Sequence, residues 1–115
     1  MRSDTEQLAD ILNAARKIAV KVSDGYGAFA RDKYVQLALV HLVQIIGEAA
    51  AQLSEDATGR NPDIPWHQII AIRNHVVHGY FDVDADILWT VVSVDVPRLA
   101  AQISETWTTS ELPAG

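Results

Sequence analysis

Between Ile72 and Tyr80 the chain reads Ile-Arg-Asn-His-Val-Val-His-Gly-Tyr, and no other stretch gathers so many groups able to donate, accept or move a proton. Arg73 carries a permanent charge on a planar fork of donors, a shape suited to a phosphate or a pentacoordinate phosphorane. His78 titrates near neutral pH and can serve as general acid or base. Asn74 can orient His78 or a phosphate oxygen. This inventory, without a thiol or a carboxylate pair, suits metal-independent RNA cleavage in which the ribose 2′-OH is the nucleophile. The same groups would serve a passive phosphate- or nucleotide-binding pocket equally well. An Arg and a His near a helix end also occur as a plain cap and a surface ion pair. His75 and His78 stand three apart, but no carboxylate or third His lies near them in sequence, so no metal and no other cofactor is expected.

The pattern predicts that this stretch is helical as far as Gly79. At 100° per residue Arg73 and Tyr80 fall within about 20° of one another provided the helix continues past Gly79, while His78 lies about 140° from Arg73. Asn74 and His78, at i and i+4, share a strip. One helix does not bring Arg73 and His78 together, so either the long Arg side chain curls around or two motifs meet across a homodimer, the second being the more economical arrangement. A place in the last helical turn would favour the imidazolium form of His78.

The elements that must position these residues are helical. Ser3 with Glu6 forms a capping-box pattern, and Leu8, Ile11, Leu12, Ala15, Ile18, Ala19 and Val22 follow at helical spacing. This helix is expected to stop near Gly25, with Gly25-Tyr26-Gly27 as a turn. A second helix is predicted from Phe29 to Leu53. Its apolar stripe is wide enough to face more than one neighbour, as at a bundle centre or a dimer seam. Gly47 would allow close approach of another backbone. Glu48, the only charge between Lys33 and Glu55, is either a solvated position or a partner for Arg73. Residues 54–64 read as a loop, and Pro65 as the first residue of a third helix that Trp66 docks onto the bundle. A ligand-stacking role is the other reading of Trp66, and His41 and His67 read as isolated structural residues. Asp84 is a good N-cap for a last helix, which Pro97 should kink, and residues 110–115 read as a frayed tail. The expectation is one all-α domain over residues 1–115, an antiparallel four-helix bundle.

Composition agrees with a folded chain: 49% hydrophobic, 21% charged, no cysteine and a net charge of −6. The charge argues against a general nucleic-acid coat but not against one small RNA site. Six of the nine Lys and Arg residues, Arg2, Arg16, Lys17, Lys21, Arg31 and Lys33, lie in the first 33 positions, and after Arg73 only Arg98 is basic. No apolar run approaches the ~18 residues that span a bilayer, and the N-terminus lacks a signal-peptide build. A cytoplasmic, membrane-free protein is the expectation.

Arg73-Asn74-x-x-x-His78-x-Tyr80 resembles the signature of HEPN-domain proteins, in particular the HepT-like toxin branch. Ile46-Gly47-Glu48-Ala49-Ala50, Ile64-Pro65-Trp66, His78-Gly79-Tyr80-Phe81 and the run from Ile87-Leu88-Trp89 to Val96-Pro97-x-Leu99 resemble further family landmarks, in family order. The resemblance implies a helical bundle that dimerises, bringing two Arg/His motifs into a composite cleft. It implies a metal-independent endoribonuclease, the toxin of a type II toxin–antitoxin pair. The partner it implies is a minimal nucleotidyltransferase antitoxin that adds AMP from ATP to the motif tyrosine. Arg73 and His78 would then be catalytic, Asn74 and Glu48 supporting, and Tyr80 the modification site. An inactive module that captures a nucleotide or only its partner is the alternative.

Overall fold

The computed structural model describes residues 2–72, 74, 77–78, 82–108 and 110–112, with only the backbone described at 77, 78 and 82. The capping box forms as the sequence predicts. Ser3 Oγ accepts from the Glu6 N–H at 3.2 Å while the Glu6 carboxylate accepts from the Ser3 N–H at 3.3 Å, opening α1, Asp4–Val22. The Glu6 carboxyl lies below its ordinary pKa, chiefly because the Ser3 backbone N–H donates to it. Helix α1 buries Leu8, Ile11, Ala14, Ala15 and Ile18.

The expected turn and long second helix divide differently. Gly25, at φ +87°, opens a short helix α2, Gly25–Arg31, so the chain turns at Ser23 and Asp24 instead. Asp32 then leaves helical geometry, and its carboxylate accepts from the Tyr34 and Val35 N–H groups at 3.0 and 3.1 Å. That N-cap starts α3, Lys33–Ala51, as a separate helix. Gln36, buried near the α2–α3 junction, donates from Nε2 to the Phe29 carbonyl at 3.0 Å.

Helix α3 carries a wide apolar surface. Its 19 residues, at mean hydropathy 1.4 over the window, meet the length and composition of a membrane span, contrary to the sequence expectation. Half of that window is buried against the rest of the protein, with Leu39, Val40, Leu42, Val43, Ile46, Gly47, Ala49 and Ala50 inside. It packs chiefly on α1 and next on α5.

The segment read as a loop contains a helix, α4, Glu55–Arg60, capped by Ser54, whose hydroxyl accepts from the Ala57 N–H at 3.2 Å. Helix α5, Trp66–Ile72, follows Pro65 as expected but is short. Beyond it, β1 (Val77–His78) and β2 (Asp82–Val83) form an antiparallel pair in the register Val77 opposite Val83 and His78 opposite Asp82. Asp84 caps α6, Ala85–Thr90, accepting from the Ile87 N–H at 3.0 Å.

Val91–Asp95 is a π-helical turn, in which the Val96 N–H donates back to the Val91 carbonyl, and α7 (Val96–Thr106) follows without a break. The irregularity expected at Pro97 thus lies just before it. Pro97 has no N–H for the Ser93 carbonyl, and a wider turn accommodates that loss. The Ser93 hydroxyl donates to the Trp89 carbonyl at 2.6 Å.

The bundle comprises α1, α3, α5 and the continuous α6–π–α7 rod. Its interior is fully apolar at Leu8, Ile11, Ile18, Leu39, Val43, Leu88, Val92, Leu99 and Ile103. Each such side chain stabilises the fold by about 1.5–3 kcal/mol relative to exposure. The fold is the all-α class predicted from the helical periodicity.

Candidate functional site

A polar lock fixes where α5 begins. Asn61, 6% exposed, donates from Nδ2 to the Gln102 carbonyl at 3.2 Å and to Thr106 Oγ1, and accepts at Oδ1 from Trp107 Nε1 at 3.0 Å. All its side-chain hydrogen-bonding groups are engaged, which is what permits an amide at that depth. Arg60 lies 3.7 Å over the Trp107 ring, donates to the Thr106 carbonyl at 3.1 Å, and pairs with Glu111 at 2.9 Å. From the other side Trp66 Nε1 donates to the Thr58 and Asn61 carbonyls at 3.2 and 3.1 Å. Trp66 is therefore the docking residue expected from the sequence, half-buried and engaged through its indole nitrogen. The lock and Leu112, packed on the core, also hold the tail through residue 112 where fraying was expected.

Helix α5 ends at Ile72, and Asn74 lies in a turn whose N–H donates to the Ala71 carbonyl at 2.9 Å. His78 is in β1. The expectation of one helix to Gly79 is thereby corrected, and with it the shared strip of Asn74 and His78 and the helix-terminus support for an imidazolium. The angular argument for a two-chain site also falls, because it required Arg73 and His78 on one helix. The cause is legible in the residue types: Val76-Val77-His78 and Tyr80-Phe81-Asp82-Val83 are β-branched and aromatic runs around Gly79, a hairpin pattern.

Arg73 and Tyr80 lie outside the described residues, as does the side chain of His78, so their catalytic and modification roles remain expectations. Asn74 is exposed at the foot of α5. Glu48 is exposed on α3 and lines an α1–α3 groove of about 360 Å³ together with Arg2, Asp10, His41 and Gln44. Arg2 is paired with Asp10 across one end of α1. His41 and His67 are both exposed, His41 on α3 and His67 on α5. Among the described residues no three of His, Asp and Glu come together in a metal-holding group.

Sequence reasoning missed a second recess, between α5 and α7. It measures about 310 Å³ and is lined by Asp63, Gln68, Asp95, Arg98 and Gln102 around Ile69, Ile72 and Leu99. Asp95, Arg98 and Gln102 recur at i, i+3, i+7 across the end of the π turn and α7, a spacing that marks a shared polar face.

The sequence profile described as Ribonuclease HepT-like matches residues 11–106. A protein of Thermococcus cleftensis named "Probable ribonuclease HepT" is 32% identical over 105 residues, covering 90% of this chain and 96% of that protein. A Methanocaldococcus jannaschii protein named "Putative RNase" is 32% identical over 97 residues, 84% of this chain and 89% of its own length. No solved structure gives a significant match.

Proposed function

Because this chain belongs to the HepT-like ribonuclease family, we propose that it is a metal-independent endoribonuclease, the toxin of a type II toxin–antitoxin pair acting on cytoplasmic RNA. The observation that supports this reading is the extent of the family match, residues 11–106, a span that includes Arg73, Asn74, His78 and Tyr80.

In the proposed reaction the ribose 2′-oxygen attacks the adjacent phosphorus and gives up its proton. The bond to the 5′-oxygen breaks, leaving a 2′,3′-cyclic phosphate and a 5′-hydroxyl. Arg73 steadies the charge on the phosphorane through its fork of donors. His78 moves the proton, as acid to the leaving 5′-oxygen or as base to the 2′-hydroxyl. Asn74, exposed beside Arg73 in sequence, and Glu48 support the site.

A homodimer remains part of the reading, now supported by a different observation. On the outside of α1 and α3, Val20, Leu37 and Tyr34 are 74%, 50% and 86% exposed. Large apolar side chains so open suit a partner surface.

The antitoxin reading is a nucleotidyltransferase that joins the Tyr80 hydroxyl oxygen to the α-phosphorus of ATP and releases pyrophosphate. A phosphodiester on Tyr80 would add negative charge and bulk beside the guanidinium that holds RNA.

Purified protein should cleave RNA in the presence of a chelator, with His78→Ala or Arg73→Ala lowering the rate by about 10²–10⁴-fold while helix content is unchanged. Co-expression with the neighbouring-gene partner should add AMP to the intact mass at Tyr80. Wild-type cleavage equal to that of His78→Ala would sink the catalytic assignment. The net charge of −6 favours the second reading, a binding module without activity, which predicts retained nucleotide binding and no cleavage by any variant.

A further inference from the structure

The recess between α5 and α7 holds Asp63, Gln68, Asp95, Arg98 and Gln102 around an apolar floor of Ile69 and Leu99. None of these five polar side chains makes an ion pair or hydrogen bond with another described residue. Polar groups that converge on a hollow while leaving one another unpaired, over an apolar base, have the make-up of a small-ligand site.

The charges choose the ligand class. Two carboxylates against one guanidinium leave the recess net negative, which repels a phosphate. They favour a flat, uncharged group with N–H donors on its edge and apolar faces. A nucleobase with an exocyclic amine meets each condition. A carboxylate accepts from such an amine, a glutamine amide pairs with a neighbouring base-edge atom, and a guanidinium plane can stack on a base face. Uracil presents a carbonyl where cytosine presents the amine, and would face the carboxylates with like polarity.

Position connects the recess to the motif. Ile72, which lines it, is the last residue of α5 and precedes Arg73. We infer that this recess is a base-recognition subsite for single-stranded RNA. It takes an amine-bearing base of a nucleotide flanking the cleaved phosphate, with Asp63 and Asp95 as acceptors and Arg98 against the base face. The inference deepens the ribonuclease reading and rests on it.

The test is titration of the ¹⁵N-labelled protein with the ribonucleoside 5′-monophosphates, following the side-chain amides of Gln68 and Gln102. CMP, AMP and GMP should shift these amides with affinity about tenfold above that of UMP. A D63A/D95A variant, whose helix content is checked by circular dichroism, should lose that preference. Equal response to all nucleotides, no response at these amides, or a preference that survives in D63A/D95A overturns the inference. Cleavage by the wild type should show the same base preference beside the cut. If the wild type cleaves nothing while the amine-selective shifts persist, the ribonuclease reading fails and the base site stands.

Discussion

Glu111 accepts from Arg60 at 2.9 Å, from the Thr108 N–H at 3.2 Å and from the Thr108 hydroxyl at 3.1 Å. These donors, Arg60 foremost, hold its carboxyl at about 2 against an ordinary 4.5. A carboxyl depressed in the folded state contributes stability that is complete above its unfolded pKa. That contribution is lost as pH falls from about 4.5 through about 2. The pair is solvent-exposed and screened, so the titration midpoint reports it better than a melting temperature. Carboxyl-carbon NMR should place the Glu111 midpoint near 2 in the wild type and nearer the ordinary value in Arg60→Gln. A wild-type midpoint at the ordinary value would show that the tail is not held by Arg60. At this scale the sequence exposes the chemistry by type, since Arg73 and His78 stand out among aliphatic neighbours. It hides Asn61, because an asparagine beside Pro62 and Gly59 reads as a loop residue until Trp107 and Gln102 are brought to it.

Among the elements, caps were the most legible features. Ser3, Asp84 and Pro65 each act where local chemistry places them, because a cap is decided within a few residues. Asp32 was missed for a related reason. The apolar stripe continues across it, and periodicity alone cannot tell a cap from a solvated helix position. The stretch after Ile72 shows the opposite failure. A helical period was extended over β-branched and aromatic residues whose pairing depends on the partner run at Asp82 and Val83. With β1 and β2 paired, the helical angles that would favour a two-chain site do not apply.

For the whole molecule, the fold class follows from helical stripes that agree with one another along most of the chain. The α5–α7 recess does not, because Asp63 and Gln102 become neighbours only through packing. The radius of gyration, 14.0 Å, is close to the ~13 Å of a compact chain of this length. Yet the outer face of α3 keeps Tyr34 and Leu37 open. If a second copy covers that face, Leu37→Asp should convert a dimer to monomer in sedimentation equilibrium, with little change in helix content because Leu37 is outside the core. A dimer that persists in Leu37→Asp places the interface elsewhere.

The π turn at Val91–Asp95 has a consequence for how this protein tolerates change in length. Such a turn holds one residue more than an α turn while the helix on either side keeps its facing. The rod of α6 and α7 therefore carries a spare position, and Val94, 47% exposed, is the one least tied to the core. Loss of its codon should tighten the turn to α geometry and leave Leu88, Leu99 and Ile103 inside, but Pro97 would then face an α-helical carbonyl with no N–H to give, at a cost of about 3 kcal/mol and a melting temperature lowered by roughly 10–15 °C. Loss of Gln44 from α3 has no such slack to absorb it. It would rotate the following residues by about 100° and turn Ile46, Ala49 and Ala50 out of the core. Cooperative melting should survive the first deletion and not the second, which makes the last helix freer than α3 to vary in length.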